Sequence, residues 1–386
     1  MRITAVREST VAIGAAMRNA AIAFDGMTAS ALAVITDLRV EGVPVVGYAF
    51  DSIGRYGKGG LLRDRFLPRL LAADPQSLHD DSGLIDPPRA VRVLMRDEKA
   101  GGHGERPGAL GLIEAALWDA RAKAAGEPLW RLLARRCGRP PASPSIEVYA
   151  SCGHLRDGDD GSALRSEVAA ARASGFETIK IKLSGEITAD LRRIDAAQGL
   201  VADGRLAVDV NGALTAQGGR QWMTEVAARA PAWIEEPCSA LDFALLGELS
   251  AGCPAPVATG ENLFSFEDAR NLLRYGGLRP SRDLVQVDIS LAYGIGEYCD
   301  ILALYAAGGW ARSQFYPHAG HLFAAHAVAG LGLGSAEAAA DASLCYGGFW
   351  DHAEVRRGRV RVPDWPGVGF EAKRNLYELL RPLGEA

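Results

Sequence analysis

Three acidic residues at equal spacing constrain the fold of this chain most strongly. Asp209, Glu235 and Glu261 each end a short apolar run, and 26 residues separate each one from the next. An interval of about that length accommodates one strand, one helix and two loops of a β/α barrel. Because barrel strands converge at their carboxyl ends, three carboxylates there would repel one another unless a hard cation such as Mg²⁺ lay between them. The spacing therefore predicts a metal-dependent barrel enzyme.

Residues 145–350 have the sequence pattern of a β/α barrel. Alternating strands and helices predict a parallel sheet with right-handed crossovers, and the number of repeats favours closure. We therefore expect a (β/α) barrel, a modified TIM barrel. Its predicted strands are IEVYA, ETIKIKL, RLAVDV, AWIEE, PVATGE, DLVQVDI, the run through SQFYPH, and an eighth between Gly334 and Cys345.

The two ends of the chain differ from this pattern. Residues 1–135 combine predicted antiparallel strands, at ITAVREST, AAIAFD and SALAVITDLRVEG, with helical spacing at 61–73 and 109–135. The second helical stretch is interrupted at Pro128. Residues 354–386 return to strand and helix character, and we expect them to pack on the N-terminal α+β domain.

Composition narrows the class of function. The net charge of −5 over 386 residues gives no support for nucleic-acid binding, and no apolar stretch is long enough for a membrane span. The N-terminal MRITAVREST lacks the apolar core of a signal peptide. Six scattered cysteines without a CxxC pair fit reduced thiols better than disulfides or a zinc site. These observations predict a cytoplasmic protein that acts on a small molecule.

Two lysines share one face of the second barrel strand. Lys180 and Lys182 flank Ile181, so alternation points both side chains in the same direction. A lysine beside a second cation has a lowered pKa, because like charge disfavours protonation. This arrangement would suit a general base. The alternative is a charged strand end that reaches solvent.

Further polar residues follow the later strands. Asp288 ends the sixth strand and His318 the seventh, and a carboxylate that orients an imidazole raises its pKa and suits it to donate a proton. His321, three residues later, competes for this role. Glu337, near the eighth strand, faces either the metal or the substrate. Alternation places Asn211 beside Asp209 as a supporting residue.

The glycine-rich segments do not predict a dinucleotide site. GGHG at 101–104 lacks the preceding strand that a phosphate-binding turn requires. Lys99, His103 and Arg106 instead suggest a lid that meets an anionic substrate, and an ordinary solvated loop is the alternative.

Together these motifs resemble the enolase superfamily, and more narrowly its mandelate racemase branch. The resemblance covers nearly the whole chain. Within the branch, the sequence is most similar to the members that dehydrate tartrate, on the basis of residues 17–20, 54–57, 98–106, 259–264, 269–277 and 317–321. The motifs that carry the wider resemblance are Lys180-Ile-Lys182, Asp209-Val-Asn211, Glu235-Glu236-Pro237, Gly260-Glu261-Asn262, Asp288 and His318.

The resemblance implies roles for these residues. It implies Mg²⁺ bound by Asp209, Glu235 and Glu261, with Lys182 as base and His318 as acid. Residues 1–135 would be a capping domain that shapes specificity, and a homo-oligomer is expected. The implied substrate-binding residues are Asn19, Arg55, Tyr56, Lys99, His103, Asn211, His321 and Glu337. The chain departs from the pattern at 152–161, which reads CGHLRDGDDG, and this leaves the exact substrate open.

The reaction implied by the resemblance is removal of a proton α to a carboxylate, followed by loss of a β-hydroxyl group to give a keto acid. Three alternatives remain open: a racemase or epimerase with the same residues, a dehydratase of a longer sugar acid, and a barrel that binds a ligand without catalysis.

Overall fold

The computed structural model describes residues 1–13, 17–99, 103–139, 144–156, 158, 160–319 and 322–385. The chain begins with an antiparallel sheet in the order β1–β2–β3. Glu41 and Gly42 join the last two strands with positive φ at both positions, as a two-residue hairpin turn requires. The strands are β1 (Ile3–Ala12), β2 (Thr28–Val40) and β3 (Val43–Phe50).

The prediction of a strand at AAIAFD is wrong. The side chain of Asn19 accepts hydrogen bonds from the backbone of Ala21 and Ile22, both at 2.8 Å, and folds this segment into a turn. Such a local bond competes with strand pairing. The third strand of the sheet is instead β3, which the apolar alternation of residues 1–50 did not separate from β2.

The helices of the N-terminal region cover the sheet, and we call β1–β3 with these helices the cap. One helical stretch contains a π-helical turn at Leu62–Phe66 between α1 and α2. Asp74 and Asp86 cap α3 and α4, each followed by proline at the first helical turn. The helices are α1 (Gly59–Leu61), α2 (Leu67–Ala72), α3 (Pro75–Leu78), α4 (Pro87–Leu94), α5 (Glu105–Ala124) and α6 (Leu129–Arg136).

The second region confirms the predicted barrel. Seven parallel strands pair in the order β10–β4–β5–β6–β7–β8–β9. Phe315 occupies the eighth strand position of the barrel, between β9 and β10. It bridges to Val285 and accepts a hydrogen bond of 3.0 Å from the Gly334 backbone. The strands are β4 (Ser145–Cys152), β5 (Thr178–Lys182), β6 (Leu206–Asp209), β7 (Ile234–Glu235), β8 (Val257–Thr259), β9 (Leu284–Val285) and β10 (Ala336–Ala339).

Helices follow the barrel strands, and aromatic side chains fill the barrel interior next to the acidic residues. Tyr149 and Trp233 meet edge to face at 5.0 Å, and Trp233 meets Tyr316 at 5.7 Å. The interior is therefore a packed core rather than a pore. The helices are α7 (Ser162–Ala173), α8 (Ile187–Gln198), α9 (Ala216–Ala227), α10 (Phe243–Ala251), α11 (Phe266–Tyr275), α12 (Ile295–Ala307) and α13 (Leu322–Leu331).

The C-terminal segment touches both regions. β11 (Arg359–Arg361) pairs antiparallel with β4, and α14 (Arg374–Glu385) packs on the cap sheet. Tyr377 of α14 meets Tyr48 of β3 edge to face at 5.7 Å. The domain boundaries at 135, 145, 350 and 354 stay predictions. None of the helices in the described ranges is long and apolar enough to cross a membrane.

Helix α5 lies directly against the barrel. A Cβ atom at Gly111 would stand 2.0 Å from the Ser290 carbonyl oxygen, so only glycine permits this approach. One turn later, the buried carboxyl group of Glu114 accepts hydrogen bonds from the backbone of Ile295 and Gly296, at 2.5 and 3.0 Å. Burial raises the pKa of Glu114 to about 7. The first contact binds the cap to the segment between β9 and α12, and the second binds it to the first turn of α12.

We expect Gly111→Ala to destabilise the protein by about 1–3 kcal/mol, because the added methyl group meets backbone that must move as a unit. Urea denaturation followed by circular dichroism measures the effect. Gly60→Ala is the matched control, since that helical glycine has open space around its Cβ position. Equal midpoints for the two variants would show that α5 tolerates a side chain at the barrel surface.

Candidate active site

Three carboxylates meet at the carboxyl end of the barrel. β6 ends at Asp209, β7 ends at Glu235, and Glu261 lies two residues beyond β8. One oxygen from each lies within 4.8 Å of the others, and all three residues are buried. Glu261 Oε2 is buried and has no hydrogen-bond partner within the described ranges. Three hard oxygen donors with one oxygen uncommitted fit a divalent cation such as Mg²⁺.

Neighbouring side chains orient two of these carboxylates. The Asn211 backbone donates to Asp209 Oδ1 at 2.9 Å. Trp233 Nε1 and Gln286 Nε2 donate to Glu235 Oε2 at 3.0 and 2.7 Å. Trp233 and Gln286 were not predicted from the sequence as site residues. Strand alternation was the available signal, because Trp233 precedes Glu235 by two residues and Gln286 precedes Asp288 by two.

Both lysines of β5 point into the barrel and pair with acids. Lys182 contacts Asp209, whereas Lys180 contacts Glu235 and lies 2.9 Å from Glu337 Oε1. Lys180 is fully buried, so the alternative of a solvent-exposed strand end is wrong for it.

The expectation of a lowered lysine pKa is wrong for this arrangement. Burial acts to lower the pKa of Lys182, and Lys180 acts in the same direction. The carboxylates of Asp209, Glu261 and Glu235 together outweigh both effects, so the pKa lies above its usual range. The sequence shows the neighbouring cation, Lys180, but not how many acids surround the two lysines.

Two acids of the site, Glu235 and Glu337, have pKa values that are shifted in opposite directions. Burial raises the pKa of Glu235 to about 7, despite the opposing charge of Lys180. Burial also acts to raise the pKa of Glu337, but Lys180 and His318 hold it well below its usual range. Glu337 Oε2 accepts a hydrogen bond from the Ala319 backbone at 3.2 Å, so this acid joins β10 to the segment that carries His318.

The predicted imidazole–carboxylate pair is present. His318 Nδ1 lies 2.9 Å from Asp288 Oδ2, and its Nε2 lies 3.6 Å from Glu261 Oε2. Because a carboxylate only accepts, Nδ1 carries the hydrogen. Burial acts to lower the pKa of His318, but Glu261, Asp288 and Glu337 together raise it to about 9.

One cavity between cap and barrel brings several of these groups together. From the barrel it is lined by Lys182, Asn211, Glu261, His318 and Glu337, with Ser151 and His154 beside them. From the cap it is lined by Met17, Asn19, Ile22, Phe24, Ile53, Gly54 and Arg55. The sequence analysis did not single out His154, which meets Phe24 edge to face at 6.0 Å.

Other predicted substrate-binding residues lie elsewhere. Tyr56 is 57% exposed, and Lys99 is also exposed; neither lines the cavity that holds Lys182. His103 packs on Phe264 at 4.7 Å and lines a separate cavity of about 920 Å³. That cavity is the larger of the two, but it holds neither lysine and none of the three clustered carboxylates, so the smaller cavity is the candidate active site. His321 lies outside the described residues.

Comparisons with known proteins identify the family. Residues 163–376 match the family model described as enolase C-terminal domain-like. The chain is 29% identical over 368 residues to L-talarate/galactarate dehydratase of Salmonella typhimurium, covering 91% of this chain and 84% of that protein. A magnesium-bound racemase from Streptomyces coelicolor superposes with a TM-score of 0.78 at 23% identity, covering 99% of each chain.

A second solved structure shares the fold. L-talarate dehydratase from Polaromonas sp. JS666, in complex with Mg and L-glucarate, superposes with a TM-score of 0.72 at 24% identity, over 95% of this chain and 94% of that one. The family model spans the barrel strands that carry both lysines, the three carboxylates and the His–Asp pair. The chain therefore belongs to the enolase C-terminal domain-like family, within the enolase and mandelate racemase superfamily.

Proposed function

We propose that this protein is an Mg²⁺-dependent dehydratase of a small hydroxy acid. The observation that carries the proposal is that Lys182 and His318 line one cavity with Glu261. A proton acceptor and a proton donor thus share one cavity with Glu261, one of the three clustered carboxylates. The names of the curated relatives, which include talarate, galactarate, galactonate and arabinonate dehydratases, support this class of reaction.

The metal ligands would be Asp209, Glu235 and Glu261. Bound there, Mg²⁺ would act as a Lewis acid for the substrate carboxylate and stabilise the negative charge that forms when the α proton leaves. The surrounding chain holds the ligands in place, since Trp233 and Gln286 both donate to Glu235.

Lys182 is the proposed base. Its amino group lies on the cavity wall, and it removes the proton from the carbon next to the substrate carboxylate. Lys180 lies behind it, fully buried, and its charge opposes protonation of Lys182. Lys180 thus supports the base without lining the cavity. A cation held by Asp209, Glu235 and Glu261 would offset the carboxylates that otherwise raise the pKa of Lys182.

His318 is the proposed acid. Asp288 fixes the ring through Nδ1, and together with Glu337 it favours the protonated imidazole. The remaining nitrogen, Nε2, protonates the departing β-hydroxyl group, which leaves as water. The enol product then tautomerises to a 2-keto acid.

We further propose a dicarboxylic acid as the substrate. Arg55 lines the cavity from the cap, where its guanidinium contacts Asn262 and lies over the Phe264 ring at 5.4 Å. A planar cation in this position suits a second carboxylate. Asn19, Asn211 and Glu337 are the other proposed contacts, for substrate hydroxyl groups. D-Tartrate and the six-carbon diacids are the two candidates, and D-tartrate is supported only by the sequence resemblance.

The test is a screen for keto-acid formation with Mg²⁺, with EDTA-treated enzyme as control. The panel contains D-, L- and meso-tartrate, galactarate, L-talarate and, as monoacids, D-galactonate and arabinonate. Turnover confined to diacids supports the assignment to Arg55, and turnover of D-tartrate alone supports the narrower substrate. Keto acid from a monoacid at equal kcat/KM contradicts the diacid proposal, and no keto acid from any substrate contradicts dehydration.

A racemase is the second candidate, because the same two groups can exchange a proton at one carbon. Inversion of a 2-hydroxy acid in D₂O, with one deuterium incorporated and no keto acid, would identify it. Assembly as a homo-oligomer and a cytoplasmic location stay predictions.

A further inference from the structure

A serine of the cap reaches the His–Asp pair of the barrel. Ser52 lies two residues beyond the end of β3 and is fully buried. Its hydroxyl group donates a hydrogen bond of 2.5 Å to Asp288 Oδ2. The same carboxylate oxygen lies 2.9 Å from His318 Nδ1. Ser52 and His318 therefore share one acceptor atom.

The other oxygen of Asp288 is held by the barrel itself. Asp288 Oδ1 accepts hydrogen bonds from the backbone of Ser290 and Leu291, at 2.8 and 3.1 Å. These two bonds place one edge of the carboxylate, whereas the Ser52 hydroxyl places the edge that faces His318. Loss of the hydroxyl would remove the hydrogen bond that the cap makes to Oδ2 and would allow the carboxylate and the imidazole bound to it to change their angle.

The position of Ser52 is itself restrained. Its neighbour Asp51 is buried, pairs with Lys58 at 2.6 Å, and donates its backbone N–H to the Ser30 carbonyl at 2.9 Å. The barrel segment that carries Asp288 is held against the cap as well, because α5 contacts Ser290 at Gly111. A shift of the cap would therefore move the serine relative to Asp288.

We propose that Ser52 is a positioning residue: it holds Asp288 so that His318 Nδ1 stays bound and Nε2 stays directed at the leaving hydroxyl group. The Ser52 contact thereby makes the position of the cap a condition for the acid step, whereas Ser52 does not contact Lys182, the proposed base. The role of His318 as acid rests on the proposed function. That Ser52 holds Asp288 and His318 in place does not depend on it.

The first experiment needs no substrate. Protein with ¹⁵N-labelled histidine is compared by NMR in three forms: wild type, Ser52→Ala and Ser52→Thr. The signal of His318 Nδ1–H is assigned by its loss in His318→Asn. We expect Ser52→Ala to shift or broaden this signal through exchange with water, and Ser52→Thr, which keeps a hydroxyl group, to retain it. An unchanged signal in Ser52→Ala would overturn the inference.

The second experiment separates the two proton transfers. In D₂O, with a substrate that the wild type dehydrates, exchange of the α proton is measured beside keto-acid formation. We expect Ser52→Ala to lower kcat for elimination about 10- to 100-fold, the usual effect of removing a residue that orients a reactive group. KM should change little, and the ratio of exchange to elimination should rise by a similar factor. Ser52→Thr should restore the ratio.

Thr36→Ala is the matched control, because Thr36 is also a buried hydroxyl residue of the cap but donates to the Val45 carbonyl rather than to the barrel. If both alanine variants lower exchange and elimination equally, Ser52 is merely structural and the inference fails. If the wild type dehydrates nothing, the proposed function fails instead, and the NMR comparison still decides whether Ser52 holds the pair.

Discussion

Lys182→Ala is expected to lose dehydration and α-proton exchange together, each by about 10²- to 10⁴-fold, the usual contribution of a general base. The two activities fall together because removal of the α proton precedes loss of the hydroxyl group. Both rates are measured in D₂O, by proton NMR for exchange and by keto-acid formation for elimination. Retention of either activity would assign the base to another residue.

Lys182→Arg tests whether the charge or the proton transfer matters. Lys182 contacts Asp209, so alanine also removes the partner of a buried acid. Arginine keeps the positive charge but does not lose its proton at any working pH. We expect the arginine variant to recover thermal stability relative to alanine and to stay inactive. Recovery of activity would mean that Lys182 serves only to balance Asp209.

His318→Asn is expected to lower dehydration by about 10²- to 10⁴-fold and to leave α-proton exchange by Lys182 in place. Asparagine can still donate to Asp288, so the pairing survives while the transferable proton at Nε2 is lost. The ratio of exchange to keto-acid formation is the measurement. His352→Asn, at an exposed position, is the control for the substitution itself.

Two other outcomes for His318→Asn would change the interpretation. Unchanged dehydration would move the acid role to another group near the cavity. A racemase would give a different result. The wild type would form no keto acid, and the variant would no longer invert the substrate but would still exchange the α proton of one enantiomer. The variant thus distinguishes the dehydratase from its nearest rival as well as testing the residue.

The barrel and its acidic cluster were predictable for a geometric reason. Strand ends in a closed parallel barrel share one face, so the interval between Asp209, Glu235 and Glu261 carries three-dimensional information. Likewise, period-two alternation places Lys180 and Lys182 on one side of β5. Pairing of Asp288 with His318 follows from the adjacency of their strands. The same rule, applied further, would have found Trp233 and Gln286.

The structure departs from the sequence expectations mainly where loops decide the position of a residue. Tyr56, Lys99 and His103 lie in glycine-rich segments of the cap, whose path depends on tertiary contacts rather than on a repeating backbone geometry. The segment at AAIAFD has strand-like composition, but the Asn19 side chain bonds its backbone into a turn on the cavity wall. The pKa direction of Lys182 also required the full set of neighbouring acids, which sequence order does not show.

By itself, then, the sequence determined the barrel, the face on which its chemistry lies, and the residues that meet there. These follow from the two-residue period along a strand and from the 26-residue spacing of Asp209, Glu235 and Glu261, which places them at the ends of consecutive strands. Only the tertiary structure decided how the cap meets the barrel. The bond from Ser52 to Asp288 joins residues 236 apart in sequence, and no local pattern encodes it. Near it, α5 approaches the barrel at Gly111, where an added Cβ atom would stand 2.0 Å from the Ser290 carbonyl oxygen, and sequence order does not show this approach either.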